Sequence, residues 1–168
     1  VDRHGISGRL MRIVVDGQSL QSASRLRGIG RYTQSLLHAM IERGRGHEYV
    51  LVLNGAFPDT IAPIRAEFRD SLPRDAIRVW EAPGPLRAAE PDNLWRARVA
   101  ELLGATFIAS MNPDCVLVPS LFEGYLDDVA TSIAVSSDAP PTALIVQDLI
   151  PHLHRSVYLD APGVTAWY

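Results

Sequence analysis

Five short apolar runs recur along the chain, "RIVVD" (12–16), "YVLVLN" (49–54), "IRVWEA" (77–82), "CVLVP" (115–119) and "TALIVQD" (142–148), with longer stretches between them. Each is nearly continuous in apolar character and rich in β-branched residues, the pattern of strands buried on both faces of a parallel sheet. Strands that alternate with helices require right-handed crossovers, which cover the sheet on both sides. The chain is therefore expected to be α/β: a Rossmann-like three-layer domain with a mainly parallel sheet. Its 168 residues suffice for one such core.

The intervening stretches carry helical periodicity. From Arg31, the residues Tyr32, Leu36, Leu37, Met40 and Ile41 recur at helical spacing, and Gly44 and Gly46 after Arg43 supply the stop. A second helix is expected from Ala56 to Phe68, opened near Pro58 and Asp59. After the turn-rich "PGP" at 83–85, a third runs from Asp92 to Met111 with Asp92 or Asn93 as cap. Its apolar stripe is Leu94, Trp95, Val99, Leu102, Leu103, Phe107 and Ile108, the kind of stripe by which a helix meets its sheet. "SSDAPP" (136–141) reads as a surface connection.

Composition removes several classes of function. A net charge of −3 provides no basic field, so nucleic acid is not an expected partner. All 16 basic residues are arginine, which excludes a Walker-type phosphate loop, a Schiff base and a lysine general base. Cys115 lies inside an apolar run and reads as a buried core thiol of a cytoplasmic protein, rather than half of a disulfide or a zinc ligand. No apolar stretch approaches the ~20 residues of a membrane span, and the polar opening lacks a signal-peptide core. Met11 directly precedes the first strand, so residues 1–10 are read as an upstream extension or linker and 11–168 as the domain. "HLHRSVYLDAPGVTAWY" stops where another helix begins, so the domain is expected to be incomplete at its carboxyl end.

In open α/β sheets ligands bind beyond the carboxyl ends of strands. "RLRGIGRY" (25–32) follows the first strand and opens a helix, whose unpaired N–H groups carry partial positive charge. Gly28 and Gly30 would let an anion approach the backbone, and Arg27 and Arg31 would add forked donors, so the loop reads as a phosphate site. The alternative is a glycine-shaped turn with solvated arginines. A dinucleotide fingerprint is not expected, because Thr33 stands where the third glycine is required and the loop after the strand is too long.

"PSLFEGYLDD" (119–128) follows the fourth strand. There Ser120, Glu123 and Tyr125 can hydrogen-bond sugar hydroxyls, Phe122 or Tyr125 can stack on a ring face, and Gly124 permits a bend; helix or turn caps are the plainer reading. At the end of the fifth run, Gln147 and Asp148 are weak catalytic candidates, with Asp148 alternatively capping the turn through Pro151. His152 and His154 lack a carboxylate or cysteine at ligand spacing and read as surface or packing residues, so no metal is expected.

Together "RIVVDGQSLQSASRLRGIGRYTQSLL", "PDCVLVPSLFEGYLDD" and "QDLIPHLHRSVYL" resemble the amino-terminal, acceptor-side half of retaining glycosyltransferases of family 4 (group 1). The likeness is strongest to those that build bacterial O-antigen and other cell-surface polysaccharides, including multi-domain mannosyltransferases. It spans residues 11–168. The resemblance implies half of a GT-B fold, with a nucleotide-sugar donor, a saccharide acceptor, no cofactor and no bound metal. It also implies a second, carboxyl-terminal domain carrying most of the donor site and an E-x7-E motif, absent from this sequence. Gly28, Gly30, Arg27 and Arg31 would approach the donor diphosphate, and Ser120, Glu123, Gly124 and Tyr125 would face the acceptor. Mannose is the sugar it points to, the inner face of the cytoplasmic membrane the site of any peripheral attachment, and inactivity the expectation for the chain alone. Many members have histidine where Gln147 stands. Glutamine cannot shuttle a proton, which leaves hydrogen bonding and charge stabilisation. The rival expectations are a non-catalytic α/β scaffold of a larger polysaccharide-synthesising protein, and another small α/β enzyme, for which no G-x-S-x-G elbow is present.

Overall fold

The computed structural model describes residues 9–44, 46–133 and 135–168. Most of the expected extension, residues 1–8, lies outside the described residues. Five strands, β1 (Arg12–Asp16), β2 (Glu48–Asn54), β3 (Ile77–Trp80), β4 (Cys115–Val118) and β5 (Thr142–Leu144), form one sheet in the order β3-β2-β1-β4-β5. All four pairings are parallel, with Val14 opposite Val50 on one side and Val116 on the other. Right-handed crossovers then put α1 (Gly28–Arg43) and α2 (Pro58–Glu67) on one face and α3 (Leu94–Ala109) on the other. The Rossmann-like α/β expectation holds.

The two faces are packed by alternate residues of the same strands. Val15, Leu51 and Leu53 meet Leu37 of α1 and Ile64 and Phe68 around α2, whereas Val14, Val50, Val52 and Trp80 meet Ala100 of α3 together with Leu86 and Ala130. This division follows from the period-2 alternation of side chains along a strand.

Several expectations need correction. The first helix begins at Gly28 rather than Arg31, and the loop ahead of it is wound into two 3-10 turns, Gln18–Leu20 and Ala23–Leu26. β5 covers only Thr142–Leu144, because its partner β4 ends at Val118; one further bond, from Ile145 N to Val118 O, closes the pairing. Asn93 stands at the cap position of α3 but makes no capping bond; its side chain instead joins Glu90 and Arg96. Cys115 is a free, half-buried thiol because it opens β4 at the rim of the sheet.

The largest departure is α3. Its buried residues are Ala100 and Gly104, small enough to bring the helix close to the indole of Trp80. Phe107 and Ile108 flank that contact, while Leu94, Trp95, Val99, Leu102 and Leu103 of the expected stripe are exposed. A helix apolar on every side offers more than one packing face, and the sheet takes the one with the smallest side chains.

These packing differences set the expected mutational costs. Trp80→Ala should destabilise the chain by about 3–5 kcal/mol in urea unfolding at low protein concentration. Leu102→Ala should change stability by no more than about 0.5 kcal/mol.

Candidate functional site

Parallel strands bring their carboxyl ends to one edge of the sheet, and there the ends of β1 and β2 turn polar. Asp16, Gln18, Gln21 and Asn54 are all buried. The Gln18 amide donates to both oxygens of Asp16 and to the carbonyl of Ala130, and accepts from Ala130 N and from Asn54 Nδ2, at 3.0–3.1 Å. Asn54 also donates to the carbonyl of Asp128 at 3.0 Å, and Gln21 brackets the Asn54 backbone by accepting from its N–H and donating to its carbonyl. Ends of strands far apart in sequence are thus joined to the loop after β4 through side-chain amides. Sequence reasoning missed this network. The available signal was a polar residue ending each of two apolar strands, Asp16 and Asn54, with glutamines two and five positions after Asp16.

Beside the network lies the first candidate loop. Arg27 and Arg31 are exposed, and neither side chain has a partner among the described residues. Helical geometry leaves the N–H groups of Gly28, Ile29 and Gly30 without intrahelical acceptors. The two glycines differ, however. A Cβ at Gly28 would meet nothing within 4 Å, whereas one at Gly30 would run into the backbone of Arg25. Gly30 is buried and serves the close packing of the 3-10 turn on α1.

The second candidate loop adjoins the same turn. Ala23 N donates to Asp127 Oδ2 at 3.0 Å, which ties the approach to α1 to the loop after β4. Ser120 is buried and donates to Glu123 Oε1 at 3.0 Å. Burial holds the Glu123 carboxyl above the usual range, with nearby Asp127 adding to the rise and hydrogen bonds from Ser22, Ser120 and Ser24 opposing it. Gly124 has φ +94°, the left-handed conformation that glycine adopts without a Cβ penalty, so the bend expected there is present. Phe122 stacks on Tyr168 at 4.1 Å between ring centroids, and Tyr125 lies 5.3 Å from Trp167. Phe122, Trp167 and Tyr168 form one wall of a groove of about 440 Å³ whose other wall includes Leu94, Arg98 and Glu101 of α3.

The third pair is held by the backbone. Gln147 Nε2 donates to the Pro119 carbonyl at 2.8 Å, fastening the end of β5 to the loop after β4. Asp148 accepts from Ile150 N at 3.0 Å, which is the capping alternative. His152 and His154 are exposed, and no group of three or more metal-ligating side chains occurs among the described residues. Another cavity, of about 610 Å³, opens at the opposite, amino-terminal end of the sheet around Arg12, His47 and Arg78; none of the candidate residues reaches it.

Asp16 is the electrostatic centre of the cluster. Burial raises its carboxyl to a pKa of about 6; the bonds from Gln18 oppose the rise and the charge of Glu123 adds to it. A buried carboxylate whose folded pKa exceeds its unfolded value near 3.8 binds protons more tightly in the native state. Its ionisation penalty is absent below about pH 4, grows as pH rises, and is complete above about pH 6. Relative to Asp16→Asn, the natural chain should therefore lose about 2–3 kcal/mol of stability between about pH 4 and pH 7, measured by urea unfolding at each pH. A constant difference across that range would show that Asp16 ionises as freely as in the unfolded chain.

No protein-family model matches the chain, and no solved structure matches it. Among curated proteins, a serotype-specific mannosyltransferase WbdA of Escherichia coli is 33% identical over 159 residues, which are 94% of this chain and 19% of the relative. Two further Escherichia coli proteins of that name are each 30% identical over 131 residues, 77% of this chain and 16% of theirs. The chain thus spans about a fifth of the length of the curated relatives it matches. The likeness begun by three motifs extends along nearly the whole sequence: the chain is a Rossmann-like homologue of the serotype-specific mannosyltransferases, corresponding to one segment of those longer proteins.

Proposed function

We propose that this chain forms the acceptor-side half of a retaining glycosyltransferase of cell-surface polysaccharide synthesis. The reaction moves a mannosyl group from a nucleotide diphosphate sugar to a hydroxyl of a saccharide acceptor. Supporting it is one juxtaposition: the open start of α1, with unpartnered Arg27 and Arg31, lies next to the loop carrying Ser120, Glu123, Gly124 and Tyr125 at the carboxyl edge of the sheet. The relatives are named as mannosyltransferases, which supplies the sugar.

In this reading the donor diphosphate meets the N–H groups of Gly28 and Ile29 and the two guanidinium forks. Negative charge grows on the diphosphate as the glycosidic bond breaks, so fixed donors there stabilise the transition state more than the ground state. Glu123 and Ser120 orient acceptor hydroxyls, and Gln147 secures the adjoining backbone without carrying a proton. The remaining donor contacts belong to a second Rossmann-like domain, as the greater length of the relatives allows. No helix among the described residues is long and apolar enough to cross a membrane; peripheral attachment to the inner face of the cytoplasmic membrane is part of the proposal.

Two measurements test the proposal. Inorganic pyrophosphate titrated into the 168-residue chain should shift the amide resonances of Gly28 and Ile29 saturably. Arg27→Ala and Arg31→Ala should each weaken that binding by about 3- to 10-fold, and shifts confined to other residues would remove the donor site from this loop. The chain alone, given a nucleotide diphosphate mannose and a saccharide acceptor, should transfer no sugar at a measurable rate; robust turnover would contradict its assignment as a half-enzyme. Gln147 in place of histidine favours the non-catalytic scaffold as the second reading, and pyrophosphate binding indifferent to both arginines would support it.

A further inference from the structure

We infer that the groove between α3 and the loop after β4 is a subsite for a neutral saccharide, and that it holds the sugar unit adjoining the one whose hydroxyl reacts. Glu123 and Gly124, which the acceptor reading above places at this edge, line the groove as well, and the subsite rests on that reading. The acceptor is then recognised as at least a disaccharide. The groove encloses about 440 Å³, within the range of small-molecule sites and more than a single hexose ring fills.

Each wall comes from a regular feature of the fold. On α3, Leu94, Ala97, Arg98 and Glu101 stand at i, i+3, i+4 and i+7, one helical face, beside the face of Ala100 and Gly104 that meets the sheet. Opposite them Phe122 stacks on Tyr168, with Trp167 edge-on to Phe122 at 6.4 Å between centroids. The floor is the buried trio Leu86, Val129 and Ala130. The Gln18 amide holds both backbone groups of Ala130, and Leu86 N donates to Asp128 Oδ1 at 2.7 Å. Ala88 N and Ala89 N donate to the carbonyls of Gly124 and Tyr125 at 3.0 and 2.9 Å. Floor and loop are thereby fixed before a ligand arrives, which lowers the ordering cost of binding.

A pyranose presents C–H groups on its faces and hydroxyls round its edge. The aromatic wall suits the faces. Across from it Arg98 donates to Glu101 Oε2 at 2.6 Å, which leaves Glu101 Oε1 to accept and the other guanidinium N–H groups to donate, the two functions that neighbouring hydroxyls require. Glu123 is the third charged residue of the lining, so among the described residues the groove offers an anion no unpaired cation. An acyl chain would fare no better, because it would bury the ion pair without hydrogen-bonding to it. A neutral, hydroxyl-bearing ligand meets both walls.

Mannobiose, maltose and cellobiose, each titrated to tens of millimolar into the isotope-labelled 168-residue chain, test this by NMR. At least one should saturably shift the amides of Ala97, Glu101 and Gly124 and the indole N–H of Trp167, binding about 3- to 10-fold more tightly than methyl mannoside. Glu101→Ala and Trp167→Leu should each weaken that disaccharide by about 3- to 10-fold. Leu103→Ala, exposed on α3 outside the groove, should leave it unchanged. A native amide spectrum shows that the variants fold, and their pyrophosphate shifts at Gly28 and Ile29 should persist, which separates this subsite from the donor site. Shifts confined to Ser120 and Glu123 would remove the subsite and leave the acceptor loop standing. No shift at the groove signals with any of the three disaccharides, equal affinity for methyl mannoside, or indifference to Glu101→Ala would each overturn the inference.

Discussion

The side-chain amide of Gln18 is the interaction on which the functional edge depends. A parallel sheet of this order leaves its central strand, β1, ending in the middle of that edge with Asp16 buried. A buried carboxylate and a buried amide are costly unless each finds partners. Gln18 supplies them in both directions, to Asp16, to Asn54 and to both backbone groups of Ala130. The loop after β4 is thereby fastened to the strand ends, and through Asp127 it in turn fastens the turn leading into α1. Both candidate loops take their relative positions from this lattice of polar contacts.

The two faces of the domain differ in what they demand of their helices. On one, Leu37 of α1 and the Ile64–Phe68 end of α2 fill the space above Val15, Leu51 and Leu53 with large side chains. On the other, the indole of Trp80 already fills much of the layer, and only a helix with small residues can approach it. Ala100 and Gly104 meet that need, which turns the bulkier apolar residues of α3 outward. Periodicity identifies α3 as a helix but is silent on which of its apolar faces meets the sheet.

Legibility of the site varied in the same way. Candidates were chosen on local chemistry, and the structure sets Arg27, Gly28 and Arg31 at a helix start and Ser120, Glu123 and Gly124 in a bend that Gly124 makes with a positive φ. Gly30 also packs against the backbone of Arg25, a requirement that looks identical in a sequence to that of a glycine which admits a ligand. Gln18, Gln21 and Asn54 were overlooked because an amide side chain has no characteristic spacing; its role follows from which groups are left unpaired around it. Gln147 joins them, read as a weak catalytic candidate and found bonded to the Pro119 carbonyl.

From sequence alone came the strands, the helices, their alternation and hence the three-layer α/β class, since each rests on residues within a few positions of one another. The tertiary structure decided what depends on distant partners: Gln18 with Ala130, 112 residues apart, Ala23 with Asp127, 104 apart, and Gly104 beneath Trp80. Local patterns report the conformational preference of a segment. Burial, the pKa of Asp16 and the direction in which α3 faces are properties of an environment assembled from segments that no local window contains.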